Sequence, residues 1–81
     1  MPTLFVVNGY EFRFYAREGT PREPVHVHVD KAGATAKFWM RPDVRLSRSR
    51  GYNSRQLREI EQLAQERAKQ IIEAWDVYFG S

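Results

Sequence analysis

The chain has 81 residues, a mass of 9.6 kDa, a formal net charge of +3 and no cysteine. That length fits a single domain, 1–81, with a small core, and it excludes a large enzyme built around a deep cofactor cleft. Without cysteine there are no disulfides, zinc–thiolate centres or thiol nucleophiles.

Hydrophobic residues make up 42% and charged residues 28%, the balance of a globular chain. No apolar run approaches the roughly 20 residues that span a bilayer. The stretch Met1 to Val7 lacks the basic start and cleavage site of a secretion signal, so a cytoplasmic location without membrane contact is expected.

The first predicted element is a strand over Thr3 to Val7, rich in β-formers. Asn8-Gly9 follows, then a second run from Tyr10 to Tyr15, and Asn-Gly between two such runs is the strongest short signal for a hairpin. Ala16 to Pro24, with Gly19, Pro21 and Pro24, reads as a loop. Val25 to Asp30 and Ala34 to Met40 alternate apolar and polar residues as half-buried strands do, and Lys31-Ala32-Gly33 between them makes a tight turn. Pro42 interrupts the pattern, and Val44 to Leu46 reads either as a short edge strand or as part of a loop.

The last third changes period. Leu57, Ile60, Ala64, Ala68, Ile71, Trp75 and Tyr78 recur at spacings of three and four, flanked by Leu63, Ile72 and Phe79. That is the pattern of one long amphipathic helix. Asn53 or Ser54 caps its start, Gln56 stands where a capping box needs it if Asn53 is the cap, and Gly80 ends it. The expected fold is α+β: an antiparallel sheet of three to four strands, hairpin at Asn8-Gly9, with one long C-terminal helix packed on one face.

Charge is polarised along the chain. Residues 41–58 hold Arg41, Arg45, Arg48, Arg50, Arg55 and Arg58 against Asp43 alone, whereas residues 59–81 are acidic. An all-arginine block is an electrostatic footprint for phosphate or carboxylate. The plainer reading is a solvated segment whose arginines pair with the acidic helix.

Strand alternation divides the side chains between two faces. Phe12, Phe14, Val25, Val27, Val29, Ala36, Phe38 and Met40 are expected to meet the helix. The opposite, uncovered face then carries Arg13, Tyr15, His26, His28, Lys37 and Trp39. Cations and aromatics on one sheet face suit single-stranded RNA, in which bases stack on rings and phosphates meet the cations. The same composition suits burial against another protein chain, in a homodimer or with a different partner.

His26 and His28 point the same way on their strand. They make a candidate acid/base pair for cleaving RNA, with arginine to hold the developing charge. They are also half of a metal site, which would need a third ligand from Asp30, Glu11, Glu23 or a partner. The plainest role is structural. No metal or cofactor is expected.

Several of these residues together resemble one family. Phe12-Arg13-Phe14-Tyr15 precedes Glu23-Pro24-Val25-His26-Val27-His28-Val29, then Ala34-Thr35-Ala36-Lys37-Phe38-Trp39, and the chain closes on Trp75-Asp76-Val77-Tyr78-Phe79-Gly80. This resembles the small prokaryotic proteins grouped as domain-of-unknown-function family 4160. Glu23 departs from the pair of prolines common before the first histidine. The resemblance implies a small bacterial protein encoded beside a second small protein, as in a type II toxin–antitoxin module, and assigns no catalytic residue.

The expected function is therefore a toxin–antitoxin component that binds or acts on RNA. Its anion contacts would be Arg13, Lys37, Arg45, Arg48 and Arg50, its stacking or interface residues Tyr15 and Trp39, and its candidate catalytic pair His26 and His28. The alternative is a non-enzymatic module that binds a cognate small protein or a second copy of itself.

Overall fold

The computed structural model describes residues 3–15 and 23–80. Five strands, β1 (Thr3–Val7), β2 (Tyr10–Arg13), β3 (His26–Lys31), β4 (Ala34–Trp39) and β5 (Arg45–Arg50), are followed by two helices, α1 (Ser54–Glu66) and α2 (Ala68–Phe79). The strands form one antiparallel meander in chain order. The α+β class is as expected, but five strands replace three to four, and two helices replace one. The Ala16 to Pro24 loop falls, as far as residue 22, outside the described residues.

The extra strand is β5. Its sequence, Arg-Leu-Ser-Arg-Ser-Arg, has no apolar alternation, and every residue in it is exposed. It forms because the outer edge of β4 presents backbone donors and acceptors that need partners, and β5 supplies them from Trp39 back to Thr35.

Two turns set the register. Asn8 and Gly9 have φ of 53° and 81°, and Ala32 and Gly33 have 50° and 86°. Positive φ at both central positions is the type I′ turn, whose twist matches that of the flanking strands. Asn-Gly is the favoured pair for it. Ala32 is not, because its Cβ crowds the backbone in the left-handed region.

The face predicted to meet the helices does so. Phe12, Phe14, Val25, Val27, Val29, Ala36, Phe38 and Met40 are all buried, joined by Tyr10 from the sheet and by Ile60, Leu63, Ala64, Ile71 and Trp75 from the helices. Each large apolar side chain sealed in this way contributes roughly 1.5–3 kcal/mol. Phe14 packs edge-on to Trp75 at 5.3 Å and beside Phe79 at 5.8 Å, closing the end of the core next to Gly80.

The start of α1 follows the sequence signal. Asn53 accepts from the Gln56 backbone N–H at 2.8 Å, and the Gln56 side chain accepts from the Asn53 N–H at 2.9 Å. Glu59, in the second turn of α1, acts through tertiary contacts. It accepts from the Tyr10 hydroxyl at 2.8 Å and from Asn8 Nδ2 at 3.1 Å, tying α1 to the first hairpin. Burial, that hydrogen bond and the Glu59 charge together raise the Tyr10 pKa.

The helical stripe bends at Arg67, which has φ of −114°. Its N–H is shared between the Leu63 and Ala64 carbonyls, and its carbonyl accepts from Ile71 at 3.0 Å. The hydrogen-bond ladder thus runs through the bend. Glu66, Arg67, Ala68 and Lys69 are all good helix formers, so the bend is tertiary in origin, and Arg67 lies 5.6 Å over the Phe5 ring of β1. Gly80 closes α2 in the left-handed conformation. Among the described residues no helix is long and apolar enough to cross a membrane.

Two predictions arise from this framework. Ala32→Gly or Ala32→Asn relieves the left-handed alanine and stabilises the fold by about 0.5–1 kcal/mol, read as a shift in urea midpoint. Tyr52, whose hydroxyl donates to the Val29 carbonyl at 2.9 Å, has its pKa pushed up to about 12 by burial, then by Asp30 and Tyr10. Between roughly pH 10 and 12 the unfolded chain loses this proton while the folded chain keeps it, so stability falls as pH rises. Tyr52→Phe removes that part of the decline, measured by urea unfolding at about pH 9 and about pH 11.5, and an unchanged alkaline slope would refute the assignment.

Candidate functional site

The outer face of the sheet, opposite the helices, is ordered in rows by the cross-strand register. Arg13 pairs with His28, His28 with Lys37, and Lys37 with Arg48. This is an unbroken basic row across β2, β3, β4 and β5. On one side of it runs Glu11, Asp30, Thr35 and Arg50, and on the other His26, Trp39 and Arg45.

The third row depends on an irregularity that parity in the sequence does not reveal. Arg45 is odd-numbered while Arg48 and Arg50 are even, so a regular strand would place Arg45 on the opposite face. The register shifts between Lys37 and Phe38: Lys37 pairs with Arg48, and Phe38 with Leu46. Ser47 is the extra residue of a β-bulge, and it re-aims the strand so that Arg45, Arg48 and Arg50 share one face. Leu46 meanwhile stays opposite buried Phe38.

The sequence-predicted residues do not all share one environment. His26 is 0% exposed and His28 3% exposed, so the face expected to leave the two histidines uncovered does not expose them. His26 Nδ1 lies 2.9 Å from the Pro24 carbonyl, and its ring packs against Trp39 and Trp75 at 5.5 and 5.1 Å. His28 lies flat against Tyr15, ring centroids 3.8 Å apart and 6° from parallel. Burial thus separates the pair: His26 sits between aromatic rings, and His28 lies beneath Tyr15.

Trp39 is also partly committed. Lys37 Nζ sits 4.5 Å over its ring, and Lys37 is itself 3.8 Å from Glu23. Arg13 lies between Glu11 and Asp30, at 3.7 and 3.6 Å. Arg45 pairs with Asp43 at 3.0 Å. Among the described residues no carboxylate lies within ion-pair distance of Arg48 or Arg50, and both are exposed.

A groove of about 380 Å³ lies on this face, lined by Tyr15, His28, Thr35, Ala36, Lys37, Arg48, Ser49 and Arg50. It gathers Tyr15, His28, Lys37, Arg48 and Arg50 from the predicted set. Arg13, His26, Trp39 and Arg45 lie outside its lining. A second, shallower trough of about 490 Å³ shares Tyr15, Thr35 and Arg50 with it and adds Glu11 and Asp30. Thr35 was not expected as a site residue. Its alternation with Lys37 on β4 was the available signal. Among the described residues no three His, Asp or Glu side chains gather where they could hold a metal ion.

A family model described as Domain of unknown function (DUF4160) matches residues 9–76. The chain belongs to that family. The DUF4160 match begins at the first turn and runs to Asp76, so it contains every residue lining both troughs except Val6. No curated protein and no solved structure matches the chain.

If His26 is a packing residue, His26→Ala leaves a void against Trp39 and Trp75 and destabilises the fold by about 2–4 kcal/mol in urea unfolding. A variant as stable as the parent would show that the ring does not support the core.

Proposed function

We propose that this chain binds single-stranded RNA without cleaving it, as a component of a type II toxin–antitoxin module. The observation that carries the reading is the basic row Arg13, His28, Lys37 and Arg48. Within it Lys37 and Arg48 are like charges directly opposite one another, an arrangement that destabilises a sheet. Glu11, Asp30 and Glu23 offset Arg13 and Lys37, but Arg48 and its neighbour Arg50 have no carboxylate among the described residues. A polyanion laid along the row removes the repulsion, and guanidinium groups hold phosphate oxygens in bidentate fashion.

Tyr15 gives the site its aromatic platform. One side of its ring is covered by His28, and the residue is still 36% exposed. A base stacks on such a surface whatever its sequence. Duplex RNA is a poorer fit, because sheet faces with stacking aromatics engage unstacked bases. The burial of His26 and His28 favours binding over cleavage. The module assignment rests on what the family resemblance implies about gene neighbours.

A second reading, docking of a cognate small protein, draws on the open outer edge of β5, whose six residues are all exposed. Such an edge accepts an added strand.

The test is anisotropy of a labelled single-stranded RNA at several salt concentrations, with each mixture also run on a denaturing gel. Binding that weakens with salt is expected, with Arg48→Ala lowering the log–log slope by about 0.7 while the RNA stays intact. Salt-insensitive binding or none would overturn the RNA reading, and cleavage would replace it with a nuclease.

A further inference from the structure

The two edges of the sheet differ in charge. β1, Thr-Leu-Phe-Val-Val, has no charged residue, whereas β5 carries Arg45, Arg48 and Arg50. Charge on an edge strand commonly guards it against stray pairing. Guarding alone would place the charge on β1, the apolar edge, and both edge strands already carry a register irregularity. The arginines of β5 therefore call for another account. Among the described residues no strand lies beyond β5, and all six of its residues are exposed. The backbone groups of alternate residues in a strand point to opposite edges, so one set bonds β4 and the other faces outward as a template for a further strand.

The side chains determine which strand fits. On the outer face Arg45 is held by Asp43 at 3.0 Å, while Arg48 and Arg50 have no carboxylate within ion-pair distance among the described residues. They stand two residues apart, so both point the same way, about 7 Å apart along the strand. A strand added beside them meets both with acidic side chains spaced by two. On the helix face Leu46, opposite buried Phe38, is still 41% exposed. The intervening residues of the added strand fall on that face, where apolar side chains cover Leu46. A second copy of β5 meets neither need. Paired antiparallel about a two-fold axis, it continues the outer face across the seam and sets the three arginines of each copy on neighbouring strands, where like charges repel.

We infer that the outer edge of β5 takes an extended segment of a partner protein whose residues alternate acidic and apolar, the acidic ones beside Arg48 and Arg50. This rests on the protein-docking reading above, to which it adds the partner's chemistry, and it does not depend on RNA binding. Main-chain hydrogen bonds to β5 hold the segment, and the charges select it.

The probe is a labelled, end-blocked peptide of about seven residues alternating Glu and Val, close to the length of an ordinary strand. It is titrated with the parent chain at about pH 7 and followed by anisotropy. It binds about tenfold more tightly than the same peptide with Lys in place of Glu, because the cross-strand pairs turn from attractive to repulsive. Arg48→Glu with Arg50→Glu reverses the preference. Two further peptides are N-methylated, one on its Glu amides and one on its Val amides. One of them binds about tenfold more weakly or worse and the other is little changed, because a strand pairs through one edge. That comparison uses the unaltered chain and carries the test if the double variant is unfolded by circular dichroism. Equal binding of the Glu and Lys peptides overturns the acidic partner while docking at the edge stands. If both methylated peptides bind as well as the unmethylated one, docking at the edge is overturned, and the guanidiniums act only as a charged surface. Binding of neither the Glu nor the Lys peptide overturns both. A parent chain that sediments as a dimer and excludes the peptides gives the edge to a second copy and overturns the proposal.

Discussion

Like charges side by side on a sheet are an unfavourable arrangement, and this face is organised by how the repulsion is met. The register of the ladder sets Lys37 directly opposite Arg48, with Arg13 in the same row beyond His28. That register is fixed by two type I′ turns and by apolar residues on the reverse of the same strands. A slip of one residue would send Val27 and Val29 to the outer face and the histidines into the core. The charged row is therefore as firmly placed as the hydrophobic interior, because both are read from one alternation. Glu11, Asp30 and Glu23 compensate one end and the middle of the row. The β5 end is left to solvent or to a ligand.

The histidines illustrate how burial divides residues that the sequence groups together. His26 and His28 share a strand, a face and a spacing, yet one is packed between two tryptophans and the other lies beneath a tyrosine. The motif is built into aromatic packing. Its neighbours Lys37 and Arg48 face the groove, and Tyr15 joins the two environments by covering an imidazole with one side of its ring.

Much of this was legible beforehand, for physical reasons. The period of two in residues 25–29 and 36–40 correctly assigned every core position it addressed, since burial of alternate side chains is what makes such a pattern. Asn53, Gln56 and Gly80 announced the helix ends through local hydrogen-bond needs. What escaped was non-local. Val44 to Leu46 offered an edge strand, which β5 overlaps at Arg45 and Leu46, but nothing in Ser-Arg-Ser-Arg extends it, because the cause is the unfilled edge of β4. The bulge at Ser47 appears only as a pairing mismatch between two strands. The bend at Arg67 occurs amid good helix formers. The burial of His26 also depends on Trp75, which arrives from the far end of the chain.

A sheet whose spatial order repeats its chain order has a further consequence, for how the molecule is made. Each strand pairs with its predecessor, and three of the four pairings are joined by connections of two to five residues. Contacts so close in sequence require little loop closure before they form. Such a topology lies toward the fast end of the range for sheet proteins, and it can assemble strand by strand as the chain emerges. The helices come last, so the apolar face stays exposed until α1 and α2 fold down over it. The clamp of Glu59 on Asn8 and Tyr10 is the most distant of the polar ties described above, and it joins the first hairpin to the element that seals the core.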